Sequence, residues 1–337
     1  MKKQILLFAD DPTSKPGGME VHAQYFVNHF NNHPRYTLQV VHLNTKLKKP
    51  YYPDLVFFNS GHWIEELEDL KLQFKKPFIY RTGGNEIIKA KLHRPMSSHL
   101  SRQSFWKNTI NRNIDTLITN SQFTENRLYD LGIHCPFYRC VGGVNTKALQ
   151  THERKRFTLF CAARFVPYKN HDRLLDVAQS LQKLGASFEL RLAGDGPLRV
   201  NLENQAKQNR LNSVCFLGPL SHEQTAQEIA SAHIYIQLSS EYITQVPGGR
   251  YIHAEGMGRS ILEALSAGTF IVAGRGGALA EIIPPERGIL LDAHDIKGIT
   301  QTVIRLIKEP PPKSPPLEIY DWLNYFKKYE ELFDAIA

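Results

Sequence analysis

Short apolar runs alternate with amphipathic helical stretches along this chain, and past its middle the alternation starts again. Gln4–Ala9, Leu38–His42, Leu55–Asn59, Pro77–Tyr80 and Asp115–Thr119 read as strands. Val21–Phe30, Ser97–Asn113 and Gln122–Leu131 carry helical spacing between them. After Asn145 a second set of strands follows: Thr158–Ala162, Phe188–Ala193, Val214–Leu217, Ile234–Leu238, Phe270–Ala273 and Gly288–Leu291, with helices such as Asp172–Leu184 and Leu198–Asn209. Strands this short and this apolar need cover on both faces, so the pattern predicts parallel sheets between two layers of helices. Two such runs in 337 residues predict two doubly wound α/β domains, 1–148 and 149–312. Glu309-Pro-Pro-Pro-Lys-Ser-Pro-Pro316 reads as a stiff, extended linker. It leads to a last segment, 313–337, with a helix over Leu317–Ile336. That helix is aromatic on several sides (Tyr320, Trp322, Tyr325, Phe326, Tyr329, Phe333) and is expected to pack back on the first domain.

Composition excludes several classes. No apolar run approaches the roughly 18–20 residues of a membrane span. The apolar start ends at Asp10-Asp11, which favours a first strand over a signal peptide. Cys135, Cys140, Cys161 and Cys215 form no CxxC pair or other metal spacing, so reduced thiols in the cytoplasm and no metal are expected. The net charge of +8 lies wholly in the first half: residues 1–150 hold 20 Lys and Arg against 12 Asp and Glu, and the remainder holds 21 of each. Such asymmetry points to an acidic partner for that half. The densest stretch runs from Lys89 through Arg94, Arg102 and Lys107 to Arg112, with no acid between Glu86 and Asp115. It reads as a solvated basic helix face, or as a surface helix on anionic lipid with Leu100, Phe105, Trp106 and Ile110 inserted.

In doubly wound sheets, ligands bind outside the carboxyl ends of the strands. The glycine and charged loops of this chain fall there: Lys15-Pro-Gly-Gly18, then Arg164 and Lys169, then Gly194-Asp-Gly-Pro197, then Gly218-Pro-Leu220. The densest constellation is Glu255-Gly-Met-Gly-Arg-Ser-Ile-Leu-Glu263, followed by Ala-Leu-Ser-Ala-Gly268, an apolar strand and a second turn at Gly274-Arg-Gly-Gly277. Glycines let backbone N–H groups approach phosphate oxygens, and a helix N-terminus adds partial positive charge. Glu263 is expected about two turns into that helix, with Glu255 on the loop before it. The two could grip different parts of one extended ligand. Taken singly, each feature has a plain structural reading: Gly17-Gly18 as a turn, Arg164 or Lys169 as surface charge, Glu263 as a solvated helix residue. His22, His62 and His253 also fall in these loops, and a lone histidine is more often structural.

Taken in order, the motifs are specific. Gly17-Gly18 opens the first helix, and Phe160-Cys-Ala-Ala-Arg164-Phe-Val-Pro-Tyr-Lys169-Asn is similar to a G-R-L-x-x-x-K-G segment. Leu192-Ala-Gly-Asp-Gly-Pro197, Phe216-Leu-Gly218, the E-x7-E pair Glu255/Glu263 and Gly276-Gly277 with Glu281 follow. Together they resemble the retaining glycosyltransferases of the GT-B fold, family 4, over nearly the whole chain. The resemblance implies two Rossmann-like domains facing a central cleft, and transfer from a nucleotide-sugar with no metal or other cofactor. It implies that Arg164 and Lys169 neutralise the departing diphosphate, helped by backbone donors over Gly256, Met257, Gly258, Arg259 and Ser260 and by Gly18. It places Glu263 on the ribose hydroxyls, Glu255 on a hydroxyl of the transferred sugar, and Gly218 to Leu220 at the base, with UDP the default. A glycan or lipid-linked acceptor, acidic in keeping with the charge, would be extended in bacterial surface polysaccharide synthesis at the inner face of the cytoplasmic membrane; nucleic acid is not expected as a partner.

Two departures stand out. Many relatives carry H-G-x-D/E after the fourth strand; here the segment is Tyr80-Arg-Thr-Gly83-Gly-Asn-Glu86, with Gly83 in the place of the histidine. Arg81, Asn85, Glu86 and His62 are the candidates for the acceptor side. Arg81 could equally recognise an acidic acceptor or pair with Glu86. The stretch from Ser240 to Ala254 is longer than in many relatives and could shape donor choice or act as a lid. Rival readings are a sugar-nucleotide epimerase or hydrolase on the same fold and a non-catalytic nucleotide-sugar-binding subunit. A dinucleotide-dependent dehydrogenase is the weakest, for no G-x-G-x-x-G follows the first strand.

Overall fold

The computed structural model describes the chain apart from residues 1, 11–17, 43–50, 91, 93–97 and 147–152. The chain forms two compact units. Unit 1 comprises Met1–Gly143, Ile243–Ile252 and Trp322–Ala337; unit 2 comprises Val144–Tyr242 and His253–Asp321.

Unit 1 is built on β1 (Lys3–Ala9), β2 (Tyr36–His42), β3 (Leu55–Phe58), β4 (Phe78–Arg81), β5 (Thr116–Thr119) and β6 (Phe137–Arg139). They pair in parallel in the order β2-β1-β3-β4-β5-β6. The three-residue β6 is too short to leave a pattern in sequence. The helices are α1 (Gly18–Phe30), α2 (Leu67–Phe74), α3 (Asn85–Lys89), α4 (His99–Asn113) and α5 (Gln122–Asp130). Because side chains alternate along a strand, the sheet has two separate cores. Leu6, Phe8, Val56, Phe58, Phe78, Tyr80 and Leu117 face one way and pack with Trp106 and Ile110 of α4. Ile5, Leu7, Leu55, Phe57, Ile79 and Ile118 face the other and pack with Phe26 and Phe30 of α1.

That packing corrects one expectation. Trp106 and Ile110 are almost fully buried against the sheet and Phe105 packs beside them, so these residues are not available to insert into lipid. Leu100 alone of the four is exposed. Amphipathic spacing gives a helix an apolar stripe but does not say whether a sheet or a membrane covers it.

Unit 2 carries β7 (Phe157–Ala162), β8 (Phe188–Ala193), β9 (Val214–Gly218) and β10 (Ile234–Gln237). The chain then forms the hairpin β11 (Tyr242–Val246) and β12 (Gly249–His253), and unit 2 resumes with β13 (Phe270–Gly274) and β14 (Gly288–Leu291). The sheet order is β14-β13-β10-β7-β8-β9, again parallel. Its helices are α6 (His171–Lys183), α7 (Arg199–Gln208), α8 (His222–Ser231), α9 (Arg259–Ser266), α10 (Leu279–Ile282) and α11 (Ile296–Lys308). In both sheets the strand order reverses once, between β1 and β3 in unit 1 and between β7 and β10 in unit 2. Such switch points are where open α/β sheets take ligands.

Two segments belong to unit 1 although unit 2 precedes them in sequence. The hairpin of residues 243–252 turns at Pro247-Gly248, with Gly248 at φ +72° as a type II turn requires. Its tip rests on the start of α4: His99 N–H donates to the Pro247 carbonyl at 3.2 Å, and the His99 and Tyr251 rings lie 5.8 Å apart. The second segment is the last helix, α12 (Trp322–Ile336), which adds Tyr325, Phe326, Tyr329 and Phe333 to the core that holds α1. It starts later than the sequence pattern suggests, because Glu318–Tyr320 forms a separate 3-10 turn. The proline-rich stretch ahead of it does not run free. Ser314 N–H donates to the Gly268 carbonyl and Arg287 to that of Pro315 at 2.8 Å, so it lies along unit 2.

Candidate functional site

The best-built polar site lies at the switch point of unit 2. β10 ends on Gln237, which is fully buried and uses both ends of its amide. Its Nε2 donates to Ser239 Oγ at 2.9 Å and to Glu255 Oε2 at 3.1 Å. Its Oε1 accepts from the Tyr235 hydroxyl at 3.0 Å and from Ser260 Oγ at 3.2 Å. Tyr235 and Ser260 are joined at 2.7 Å. Glu255 is thus held by a network that runs beneath it from β10 to the first turn of α9. Its carboxylate also takes the Lys169 ammonium, which reaches it from the 3-10 turn Pro167–Lys169 after β7. Both partners are largely buried, with side-chain exposures of 10% and 14%. Burial alone would lower the Lys169 pKa, but Glu255 and Tyr168 outweigh it and the ammonium is held above its ordinary value.

Glycines set the Glu255 loop at its height. Gly277, at φ +66°, packs so closely that a Cβ there would stand 2.1 Å from the Glu255 carbonyl, and Ala278 N–H donates to that carbonyl at 2.9 Å. A Cβ on Gly276 would meet the Ser239 carbonyl at 2.5 Å. Gly276 and Gly277 therefore brace Glu255 by close backbone approach. Gly258 caps α9 at φ +74°, and its carbonyl accepts the N–H groups of Ile261 and Leu262 at 2.9 and 3.1 Å. Met257 and Gly258 are buried; Gly256, Arg259 and Ser260 are part-exposed.

Glu263 lies one turn into α9 rather than two, because the helix begins at Arg259. Its side chain makes no hydrogen bond or ion pair among the described residues. Burial pushes its carboxyl pKa up, against the opposing charge of Arg259. Arg164 is exposed after β7, likewise without a partner among the described residues. Unit 2 thus carries, besides the buried ion pair, one guanidinium and one carboxyl without side-chain partners among the described residues. Farther along the same sheet edge, Gly218 ends β9 at φ +72° and Leu220 is half-buried beyond it. Glu281 is exposed on α10.

The candidates of unit 1 are less gathered. Gly18 is the exposed first residue of α1; Gly17 and the loop before it lie outside the described residues. Arg81 is buried, its Nε donating to the Tyr325 hydroxyl of α12 at 3.3 Å and its Nη1 to Met19 Sδ at 2.9 Å. No ion pair joins it to Glu86. The Glu86 carboxylate accepts from the Thr82 hydroxyl and from Gly83 N–H at 3.0 Å, closing the turn into α3, with Asn85 beside it. His62 stands at the switch point. Its Nδ1 lies 2.6 Å from Asp10 Oδ1, and Asp10 also accepts from Ser60. Burial would raise the Asp10 pKa, but the hydrogen bonds from His62 and Ser60 overcome it and the carboxylate stays ionised below its usual range. His22 is buried, its Nε2 3.1 Å from the Tyr329 hydroxyl, and His253 packs on Tyr168 with ring centroids 3.9 Å apart.

Residues 145–317, just over half of the chain, match the family described as glycosyl transferases group 1. The chain belongs to this family. Among curated proteins it is similar to the GDP-mannose-dependent monoacylated alpha-(1-6)-phosphatidylinositol monomannoside mannosyltransferase of Corynebacterium glutamicum. The two are 27% identical over 62% of this chain and 57% of that protein. The chain spans about half the length of such curated relatives. Among solved structures it resembles Anabaena Alr3699/HepE in complex with UDP-glucose, with a TM-score of 0.74 at 17% identity over 98% of this chain and 99% of that one. It also resembles the lipopolysaccharide outer core galactosyltransferase WaaB in its apo form, with a TM-score of 0.69 at 16% identity over 98% and 99%. These likenesses establish the GT-B fold: two parallel six-stranded Rossmann-like sheets.

For this group 1 family member, sequence reasoning had missed Gln237, Tyr235 and Asp10. Two of them had a faint signal. Gln237 is a lone amide at the end of an apolar strand, and Asp10 is the first acid after β1. Neither belongs to a motif, so only their neighbours in space give them meaning.

Proposed function

We propose that this chain is a retaining, metal-independent glycosyltransferase. It moves a hexose-type sugar from a nucleotide-sugar, UDP-linked by default, onto a glycan or lipid-linked acceptor in bacterial surface polysaccharide synthesis. The observation that carries this reading is the Lys169–Glu255–Gln237 network at the unit 2 switch point.

The charges there suit a diphosphate leaving group. Lys169 is kept ionised inside the protein by Glu255 until a diphosphate competes for it. Once Lys169 turns to phosphate, the Glu255 carboxylate is released to accept from a hydroxyl of the donor sugar. Arg164, exposed and without a partner among the described residues, adds the second positive group. In the transfer, the bond from the sugar C1 to the phosphate oxygen breaks, and the acceptor oxygen bonds to C1 on the same face. Its proton passes to a phosphate oxygen of the leaving group. Arg164 and Lys169 offset the charge that develops there. Burial raises the Glu263 pKa, and hydroxyls of the ribose donating to its carboxylate would favour the charged form. Gly218 and Leu220 border the position of the base.

An acidic, lipid-linked acceptor agrees with the +8 of the first half and with the names of the mannosyl- and galactosyltransferases that the chain resembles. With Trp106 and Ile110 in the core, membrane contact would be electrostatic. No helix among the described residues is long and apolar enough to cross a membrane.

The test is a thermal-shift screen of UDP- and GDP-sugars, followed by transfer with the stabilising donor. One donor should stabilise wild type and Glu255→Gln alike, while only wild type yields a product with the donor's anomeric configuration. Nucleotide release without glycan product, or full transfer by Glu255→Gln, would overturn the assignment.

A further inference from the structure

The switch point of unit 1 holds a carboxylate that its neighbours satisfy on one oxygen only. Asp10 directly follows β1, and the turn that begins at Ser60 follows β3, the strand paired beside it. Ser60 caps the 3-10 turn Gly61–Trp63 and also donates to Asp10 Oδ1. His62 Nδ1 lies 2.6 Å from the same oxygen. An ionised carboxylate only accepts, so the Nδ1 proton is directed at Asp10. Asp10 Oδ2 has no partner among the described residues, and 16% of the side chain stays exposed.

The surroundings hold this arrangement in place. The Asp10 carbonyl lies 3.1 Å from His42 Nδ1 at the end of β2, and Asn59 N–H donates to the Phe8 carbonyl at 2.9 Å. A Cβ on Gly61 would stand 2.8 Å from the Trp106 ring and 3.2 Å from the Tyr80 hydroxyl, so the turn that carries His62 is pressed close onto the core. Burial opposes a charge on Asp10, yet the bonds from His62 and Ser60 keep it ionised. The result is a fixed anion with one oxygen saturated and the other left to accept. Hydroxyl groups donate well to such an oxygen. A phosphate or carboxylate brought to it would meet a like charge.

We propose that Asp10 Oδ2, with the half-exposed His62 imidazole beside it, is a subsite for the hydroxyls of a neutral sugar ring. On the glycosyltransferase reading above, that ring belongs to the acceptor. Asp10 then acts as a positioning and specificity residue: it orients a neutral ring by its hydroxyls and turns away an acidic one. Any acidic group of the acceptor binds away from Asp10.

The experiment uses the full chain and two readouts. Saturation-transfer NMR, with no nucleotide-sugar present, measures the affinity of hexyl glycosides of glucose, galactose and mannose and of their uronic acids. Transfer to the same glycosides is then measured with the donor that stabilises the protein. Wild type should bind at least one neutral glycoside, and more tightly than its uronic acid counterpart. Asp10→Asn should weaken that binding about 10- to 100-fold, as the loss of a hydrogen bond to a charged group does, and erase the preference over the uronic acid. Donor stabilisation in thermal shift should be unchanged. Should circular dichroism show Asp10→Asn unfolded, monodeoxy glycosides on wild type replace it: deletion of one particular hydroxyl should cost about tenfold. Wild type that binds none of the neutral glycosides, a folded Asp10→Asn of wild-type affinity and preference, or equal affinity for every monodeoxy analogue overturns the proposal. Asp10-dependent binding without transfer would support the subsite and sink the transferase reading alone.

Discussion

The two switch points of this molecule make an instructive pair. In unit 2, the residues after β7 and β10 join a loop glutamate in a buried network in which Gln237 has no free hydrogen-bonding end. In unit 1, the residues after β1 and β3 form a smaller cluster of Asp10, Ser60 and His62, with half of the His62 side chain exposed. One site is rigidly built around an ion pair and the other is open. That difference is what a constant donor and a variable acceptor would select. A diphosphate and a ribose recur across nucleotide-sugars, whereas acceptors differ in shape and charge.

The comparison is broken most severely at the ion pair. Lys169→Met should abolish transfer and cost about 3–5 kcal/mol of stability, because it leaves Glu255 buried without its cation. Adding Glu255→Gln should return most of that stability in urea unfolding while transfer stays absent. Recovery of both would mean that the pair is only structural scaffolding.

Next comes the bracing beneath it. Gly277→Ala places a methyl group against the Glu255 backbone at a φ unfavourable to alanine, and should cost about 1–3 kcal/mol. The displaced carboxylate should lower the transfer rate constant by about a hundredfold, with donor binding less affected. A Gly277→Ala enzyme of normal rate would show that the Glu255 position is not critical.

Unit 1 is expected to answer differently. His62→Gln should raise KM for the acceptor and leave donor stabilisation in thermal shift unchanged. A loss of donor binding instead would dissolve the division between the two switch points.

A pH effect of smaller size separates the units again. His171, at the start of α6, is buried against Phe165 and Cys161, and burial with nearby Lys169 pushes its pKa down to about 3. The unfolded chain takes up this proton near pH 6.5, the folded chain only near pH 3. The stability it contributes is therefore fully present above about pH 6.5 and is lost as pH falls toward 3. Between pH 6.5 and 5 the loss should be about 2 kcal/mol. Urea midpoints of His171→Leu should lack that part of the slope; an identical slope would show that His171 is not its source. The least effect is expected at Tyr325→Phe, which removes one hydrogen bond from Arg81 and should cost about 0.5–1.5 kcal/mol without changing transfer.

Much of this was legible in the residues. Apolar strands between amphipathic helices forced covered parallel sheets, because neither element can leave that much apolar surface in water. The spacing of Glu255 and Glu263 about a glycine turn marked a ligand-binding helix start. Arg81 was not legible: its sequence neighbours are Tyr80 and Thr82, but its partners are Met19 and Tyr325. Nor was the hairpin of residues 243–252 legible. Its length suggested a donor-shaping loop or a lid, and the structure gives it a seat on α4 within unit 1.

By itself, then, the sequence determined the two sheets, the strand ends that carry chemistry and the identity of the charged groups there, since periodicity and backbone geometry are local. Tertiary structure alone decided which charges meet. Lys169 and Glu255 are 86 positions apart, and Gln237 orders them only because strand order brings β10 beside β7. Trp106 and Ile110 likewise became core rather than membrane anchor because a sheet face was there to receive them. Local patterns carry the need for burial or for a counter-charge; only the fold supplies the partner.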